Sequence, residues 1–155
     1  MTGVQTCALP ICYDGLTGDL LKADLRDGAA YSCNGVVDFM QPVLDEYLEC
    51  YPDTDLYMRG DSGFATPSLF KQAETNAVSY AIRLKANQNL YKLGRNADDL
   101  LDDLTARNKV DYAVVYDEFF YQAASWEYSR RVVVKVEKPL NQLTYQHSVD
   151  RKSVV

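Results

Sequence analysis

LYMRGDSGFATPSLFKQAETNAVSYAIRLK, Leu56 to Lys85, has the pattern of a β–α–β unit. The short apolar run Leu56 to Met58 reads as a buried strand, and Arg59 to Ala65 as the loop after it. Thr66-Pro67 starts a helix, with threonine as cap and proline in the first helical position. Leu69, Phe70, Ala73 and Ala77 then face one way. In the strand that follows, Tyr80, Ile82 and Leu84 share one face while Ala81, Arg83 and Lys85 share the other. Asp61 stands at the end of the first strand, between Gly60 and Gly63.

Upstream, Asp14-Gly15 and Thr17-Gly18 are turn signals. Leu21, Ala23 and Leu25 then alternate with Lys22 and Asp24, which predicts a half-buried strand ended by Asp27-Gly28. Asn34 is placed to cap a helix whose apolar stripe is Val36, Val37, Met40, Val43, Leu44, Tyr47 and Leu48. Pro42 inside that stripe costs about 3 kcal/mol unless the helix kinks or starts there. Downstream, Ala97, Leu100, Leu101 and Leu104 mark another amphipathic helix, with Asp98, Asp99, Asp102 and Asp103 on its outer face. From Asp111 the texture changes. Tyr112 to Tyr116, Glu118 to Ala123, Arg130 to Val136 and Leu143 to His147 are rich in β-branched and aromatic residues and lack a helical period. They predict an antiparallel β section attached to a β–α–β–α unit, an α/β (α+β) chain overall.

A length of 155 residues fits one domain, and 47% hydrophobic with 25% charged residues is ordinary globular composition. No apolar run approaches the roughly 20 residues that span a bilayer. Cys7, Cys12, Cys33 and Cys50 show no metal-ligand spacing, so a zinc site or disulfide framework is not expected; free thiols in a reducing cytosol are. The net charge of −6 argues against holding nucleic acid by bulk charge.

Asp61 is the candidate for chemistry. Two-metal phosphoryl transfer needs carboxylates holding cations about 3.5–4 Å apart, and a rigid strand end with an open face beside it suits such a ligand. Asp61 is therefore expected at the end of a central strand, and an edge or covered position would count against catalysis. The plain alternative is a turn cap, since Asp-Ser-Gly is common turn chemistry. Thr75 to Ala97 contains no acidic residue but holds Arg83, Lys85, Lys92 and Arg95. That window is either a local phosphate-binding surface or a set of solvated side chains. Trp126, with Phe119, Phe120, Tyr121 and Tyr128, is either core or a stacking platform for unpaired bases. Asp14, Asp19 and Asp24 are explained by turns or solvent or remain unassigned, and the lone His147 has no role.

Four ordered blocks resemble the central region of IS1380-group transposases, within the IS4-like DDE superfamily. They are Tyr13 to Arg26 (YDGLTGDLLKADLR), Arg59 to Pro67 (RGDSGFATP), Tyr80 to Asn87 (YAIRLKAN) and Tyr121 to Trp126 (YQAASW). The resemblance implies a ribonuclease-H-like core, a mixed sheet with flanking helices, interrupted by a β-rich insertion at 111–149. It places Asp61 at the second acidic position of the DDE triad, as a catalytic metal ligand. It makes Arg83 and Lys85 contacts to transposon-end DNA. It also implies Mg²⁺ at a two-metal site and cut-and-paste strand transfer to target DNA. The intact protein would be a homodimer in the bacterial cytoplasm, associated with the nucleoid.

The first Asp of the triad would lie upstream of Cys12 and the Glu downstream of Val149. Residues 1–11 and 150–155 resemble translated sequencing-library adapters, which would make 12–110 a partial core and the whole chain an inactive internal fragment. A non-catalytic DNA-contacting module, or an unrelated α/β domain in which Asp61 only turns the chain, are the competing readings.

Overall fold

The structure, a computed structural model, describes residues 10–26, 30–31, 33–85, 87–108, 112–138 and 146–153, with backbone alone for 107, 108, 138 and 146–153. The chain runs β1 (Ile11–Tyr13), β2 (Leu20–Ala23), α1 (Val36–Cys50), β3 (Tyr57–Gly60), a 3₁₀ turn (Ser62–Phe64) and α2 (Pro67–Thr75). It continues through β4 (Ser79–Arg83), α3 (Gln88–Leu93), α4 (Arg95–Asn108), β5 (Ala113–Tyr121), β6 (Arg130–Lys138) and β7 (Gln146–Ser153). Strands β1 and β2 form an antiparallel hairpin, and the others a five-stranded sheet in the order β3-β4-β7-β6-β5. The β3–β4 pair is parallel and the remaining pairs antiparallel, so the sheet is mixed and the fold α+β.

Period-two patterning settles which face is covered. Tyr80, Ile82 and Leu84 near β4 meet Val132, Val134 and Val136 of β6, and Leu69, Phe70, Ala73, Leu90, Ala97 and Leu101 from the helices close over them. The opposite face stays in water, as an antiparallel section permits, and presents Tyr57, Arg59, Arg83, Tyr116 and Phe120. The β-rich section does not stand apart. Strand β7 lies between β4 and β6, pairing Ile82 with Arg151 and Val134 with Val149. Asp150 to Ser153, which look foreign in the sequence, form the half of β7 that pairs with β4. Among the described residues no helix is long and apolar enough to cross a membrane.

Thr66 caps α2 as its sequence predicts, accepting from the Leu69 amide at 3.3 Å with Pro67 next in line. Asn34 does not cap α1. Gly35 does so in the left-handed region at φ 64°, without a side-chain bond. Helix α1 neither starts nor stops at Pro42, which sits inside it on the exposed side, where water can serve the carbonyl it leaves unpaired. In β2 the expected inward residues are reversed. Lys22 is the half-buried one; its Nζ donates to the Phe39 carbonyl at 2.9 Å and lies 5.1 Å from the ring centroid, while Leu25 is exposed. The lysine stem supplies the apolar contact and its head the hydrogen bond to a carbonyl of α1, which leucine cannot. The two strands expected at 112–116 and 118–123 are one, β5. Residues 139–145, which hold much of the last expected strand, lie outside the described residues, as does the side chain of His147.

A buried ion pair is built into the covered face. Arg130, 6% exposed at the start of β6, donates from Nε to Glu74 Oε1 at 2.7 Å and from Nη2 to Oε2 at 3.0 Å. The Tyr80 hydroxyl donates to Oε1 at 2.5 Å and the Tyr128 hydroxyl to Oε2. The guanidinium carbon lies 4.2 Å from the Tyr128 ring centroid and 5.5 Å from those of Phe70 and Trp126. Nη1 has no hydrogen-bond partner, so these ring faces are its compensation. Burial pushes the Glu74 carboxyl up, but the bonds from Arg130, Tyr128 and Tyr80 and the Arg130 charge outweigh it and hold it at about 2.

Removing one partner of a buried pair leaves the other uncompensated, at roughly 3–5 kcal/mol. Glu74→Gln should lose about that much stability in urea denaturation at neutral pH. The depressed Glu74 value also sets a pH dependence: its contribution is complete above the ordinary value of 4.5 and is lost as pH falls towards about 2. Urea midpoints across that window should fall steeply for the wild type and less so for Glu74→Gln. Parallel curves would remove Glu74 as the source.

Candidate active site

Asp61 follows β3 with extended backbone, φ −81° and ψ −179°. Its Oδ1 accepts from the Gly63 amide at 2.8 Å and so caps the 3₁₀ turn that leads into α2. The turn-cap reading is therefore correct as far as it goes, but it uses one oxygen. Asp61 is exposed, and its second oxygen is open to a further partner. Gly60 is not demanded by crowding: a Cβ there would sit 3.5 Å from Ile82 Cγ1 and Phe64 Cβ, ordinary contact.

The expected central position is not found. Strand β3 is an edge of the five-stranded sheet, because its free side faces a cavity instead of another strand. That cavity, about 750 Å³, lies between the β1–β2 hairpin, α1 and β3, walled by Tyr13, Phe39, Leu44, Tyr57, Met58 and Phe64 among others. Gly60 borders it but Asp61 does not. This apolar cavity and the candidate carboxylate are neighbours that do not coincide.

Among the described residues no group of three or more His, Cys, Asp or Glu side chains could hold a metal ion. One carboxylate with one oxygen already engaged does not fit a two-metal centre, which needs several carboxylate oxygens. The other acidic candidates are bound up locally. Asp14 Oδ1 accepts from the Leu16 and Thr17 amides at 2.7 and 2.9 Å, and its Oδ2 accepts from the Tyr47 hydroxyl at 3.2 Å. Those backbone bonds lower its pKa. Asp19 accepts from Thr17 Oγ1 at 2.8 Å, and Asp24 pairs with Arg26 at 3.2 Å.

The five candidate DNA contacts are dispersed. Arg83 and Lys85 alternate with the buried Leu84 and lie on the open side of the sheet, level with Asp61. Lys92 in α3 and Arg95 in α4 are exposed but belong to the helical layer that covers the other face. Trp126 is 8% exposed, edge-on to Phe70 at 5.7 Å and to Tyr121 at 5.4 Å. Its surroundings fit the core reading, and its ring is not offered to a base. The exposed aromatics of the β section among the described residues are Tyr112, Tyr116, Phe120 and Tyr128. Arg59 falls outside the sequence-based candidates because it reads as loop. It is a strand residue, and alternation with half-buried Met58 would have put it on the wet face beside Asp61.

A family model described as transposase DDE domain, group 1, matches residues 4–151. No curated protein and no solved structure matches the chain.

A ligand that binds only the folded state raises stability in proportion to its site occupancy. With Asp61 lacking carboxylate neighbours, millimolar Mg²⁺ should leave the thermal midpoint of this chain where an equal ionic strength of NaCl leaves it. A Mg²⁺-specific rise that Asp61→Asn abolishes would show that further ligands gather there.

Proposed function

We propose, from the premise that the chain belongs to the transposase DDE domain group 1 family, that it is the middle part of a DNA transposase core of the IS1380 group. In this reading Asp61 is the second acidic residue of the triad. The family match over residues 4–151 is the observation that carries the proposal. The placement of Asp61, exposed after the first strand of a parallel β–α–β unit, supports its role. The reaction proposed for the parent is Mg²⁺-dependent cut-and-paste transposition by a homodimer. Water attacks the phosphodiester at the transposon end and releases a 3′-hydroxyl, which then attacks a phosphodiester of target DNA and displaces its 3′-oxygen.

That chemistry would need several carboxylates to hold divalent cations, a set that the described residues of this chain do not assemble. This chain's own contribution is the Asp61 carboxylate, held at a fixed height by its bond to the Gly63 amide and by the capped helix that follows. In this reading the first Asp and the Glu of the triad are not supplied by residues 12–149. The absence of carboxylate neighbours among the described residues accords with a chain that does not catalyse by itself, whereas the edge position of β3 counts against a catalytic role for Asp61. A ribonuclease-H-like sheet is the architecture this reading expects of the whole.

The purified 155-residue chain should therefore not nick a labelled transposon-end duplex in Mg²⁺. Mg²⁺-dependent nicking that Asp61→Ala abolishes would overturn the proposed inactivity while supporting the role of Asp61. A longer parent polypeptide should nick and should lose that activity on Asp61→Asn. Retained activity would remove Asp61 from the triad.

A further inference from the structure

The lysines and arginines divide into two groups. Among the described side chains, Arg26, Lys71, Arg130, Arg131 and Lys135 pair with carboxylates, and Lys22 is tied to the Phe39 carbonyl. No carboxylate among the described side chains pairs with Arg59, Arg83, Lys85, Lys92 or Arg95, in a chain whose net charge is −6. Among the described side chains, these five cations set a local surface apart from those that pair with carboxylates.

Two of the five are set side by side. Arg59 of β3 is level with Ala81 of β4, so Arg83 is its diagonal neighbour on the same wet face, within the roughly 7–8 Å that long side chains span. Both are exposed, and both approach the C-terminal ends of parallel strands, where the loops open. Asp61 continues the same alternation, two residues after Arg59. Neither guanidinium lies within salt-bridge distance of its carboxylate. A guanidinium carries five donors in a planar fork that matches two phosphate oxygens, and Arg remains charged at any working pH.

We propose that Arg59 and Arg83 form a two-strand phosphate clamp on the open face of the sheet. Arg59 is the further binding residue, holding the DNA backbone against the side of the sheet that presents Asp61. The inference rests on the DNA-acting reading above and adds to it a residue, a face and a direction of approach. DNA lies on the bare sheet face and not on the helical layer, so Lys92 and Arg95 are not part of the same footprint. The contact needs no metal, because fixed positive charges neutralise the phosphates and release counterions.

The test is fluorescence anisotropy of a labelled DNA duplex with the full chain in EDTA, titrated over a range of NaCl. Wild type should bind with affinity that falls with salt. Arg59→Ala and Arg83→Ala should each weaken binding and reduce the slope of log K against log salt by about one, the share of one phosphate contact. Arg59→Lys should keep the slope but recover only part of the affinity, having the charge without the fork. Lys71→Ala, on α2 and already paired with Glu127, is the control and should bind as wild type. Arg59→Ala with unchanged affinity and slope would overturn the clamp, as would an equal loss in Lys71→Ala. Wild-type binding with an indifferent Arg59 sinks the inference alone. No binding by the wild type sinks it together with the DNA-acting reading of this chain.

Discussion

The buried pair between Arg130 and Glu74 is the constraint on which the arrangement of the covered face depends. Glu74 is near the end of the crossover helix α2 and Arg130 begins β6, so one bidentate contact joins the β–α–β unit to the antiparallel section. Tyr80 and Tyr128 donate to Glu74, and the rings of Phe70, Trp126 and Tyr128 lie around the guanidinium. Phe70 stacks on Tyr80 at 5.6 Å and meets Trp126 edge-on, and the guanidinium closes the group from the side. Such a pair adds less to net stability than its geometry suggests, because desolvating both ions offsets most of their attraction. What it fixes is position. An apolar pair of similar size would tolerate sliding of α2 over β6, whereas a two-pronged ion pair with two tyrosine donors has one good register. Since α2 follows directly from the Asp61 turn, that register also sets where the carboxylate stands.

Much of this was legible in the sequence where local chemistry decides the outcome. Thr66-Pro67 determines its own helix start, and Tyr80, Ile82 and Leu84 declare their face by alternation alone. The failures occurred where a distant contact overrides the local signal. Lys22 turns inward because Phe39 offers a ring and a carbonyl seventeen residues away. Glu74 and Arg130 look like ordinary surface charges in sequence, and their fifty-six-residue separation hides the pair. For the site, the type and strand-end placement of Asp61 were readable. The edge position of β3 was not, because strand order depends on where β7 inserts. Trp126 shows the general difficulty with aromatics: the same residue type at the same spacing serves a core or a platform, and only burial distinguishes them.

The charge economy of the chain follows a similar logic. A net negative domain that acts on a polyanion must confine its attraction to a small area, because its average field repels. Pairing some cations with carboxylates does this without changing composition: Arg131 is quenched by Glu118, Lys135 by Glu137 and Lys71 by Glu127. What remains unpaired stands out against a neutralised background, so bulk charge is a poor guide to local binding here.

The division into a two-stranded hairpin and a five-stranded sheet, with an apolar cavity between them, has a consequence for motion. Among the described residues no backbone ladder crosses from β1–β2 to the sheet, so α1 and side-chain packing carry that junction there. Backbone hydrogen bonds in the two parts can therefore open in separate cooperative steps. Amide exchange in the hairpin would report a sub-global opening that leaves β4, β6 and the Glu74–Arg130 pair closed. The free edge of β3, which carries Arg59 and leads to Asp61, lies at the seam of that opening, and its solvent access would follow the hairpin's fluctuations more than the unfolding of the core.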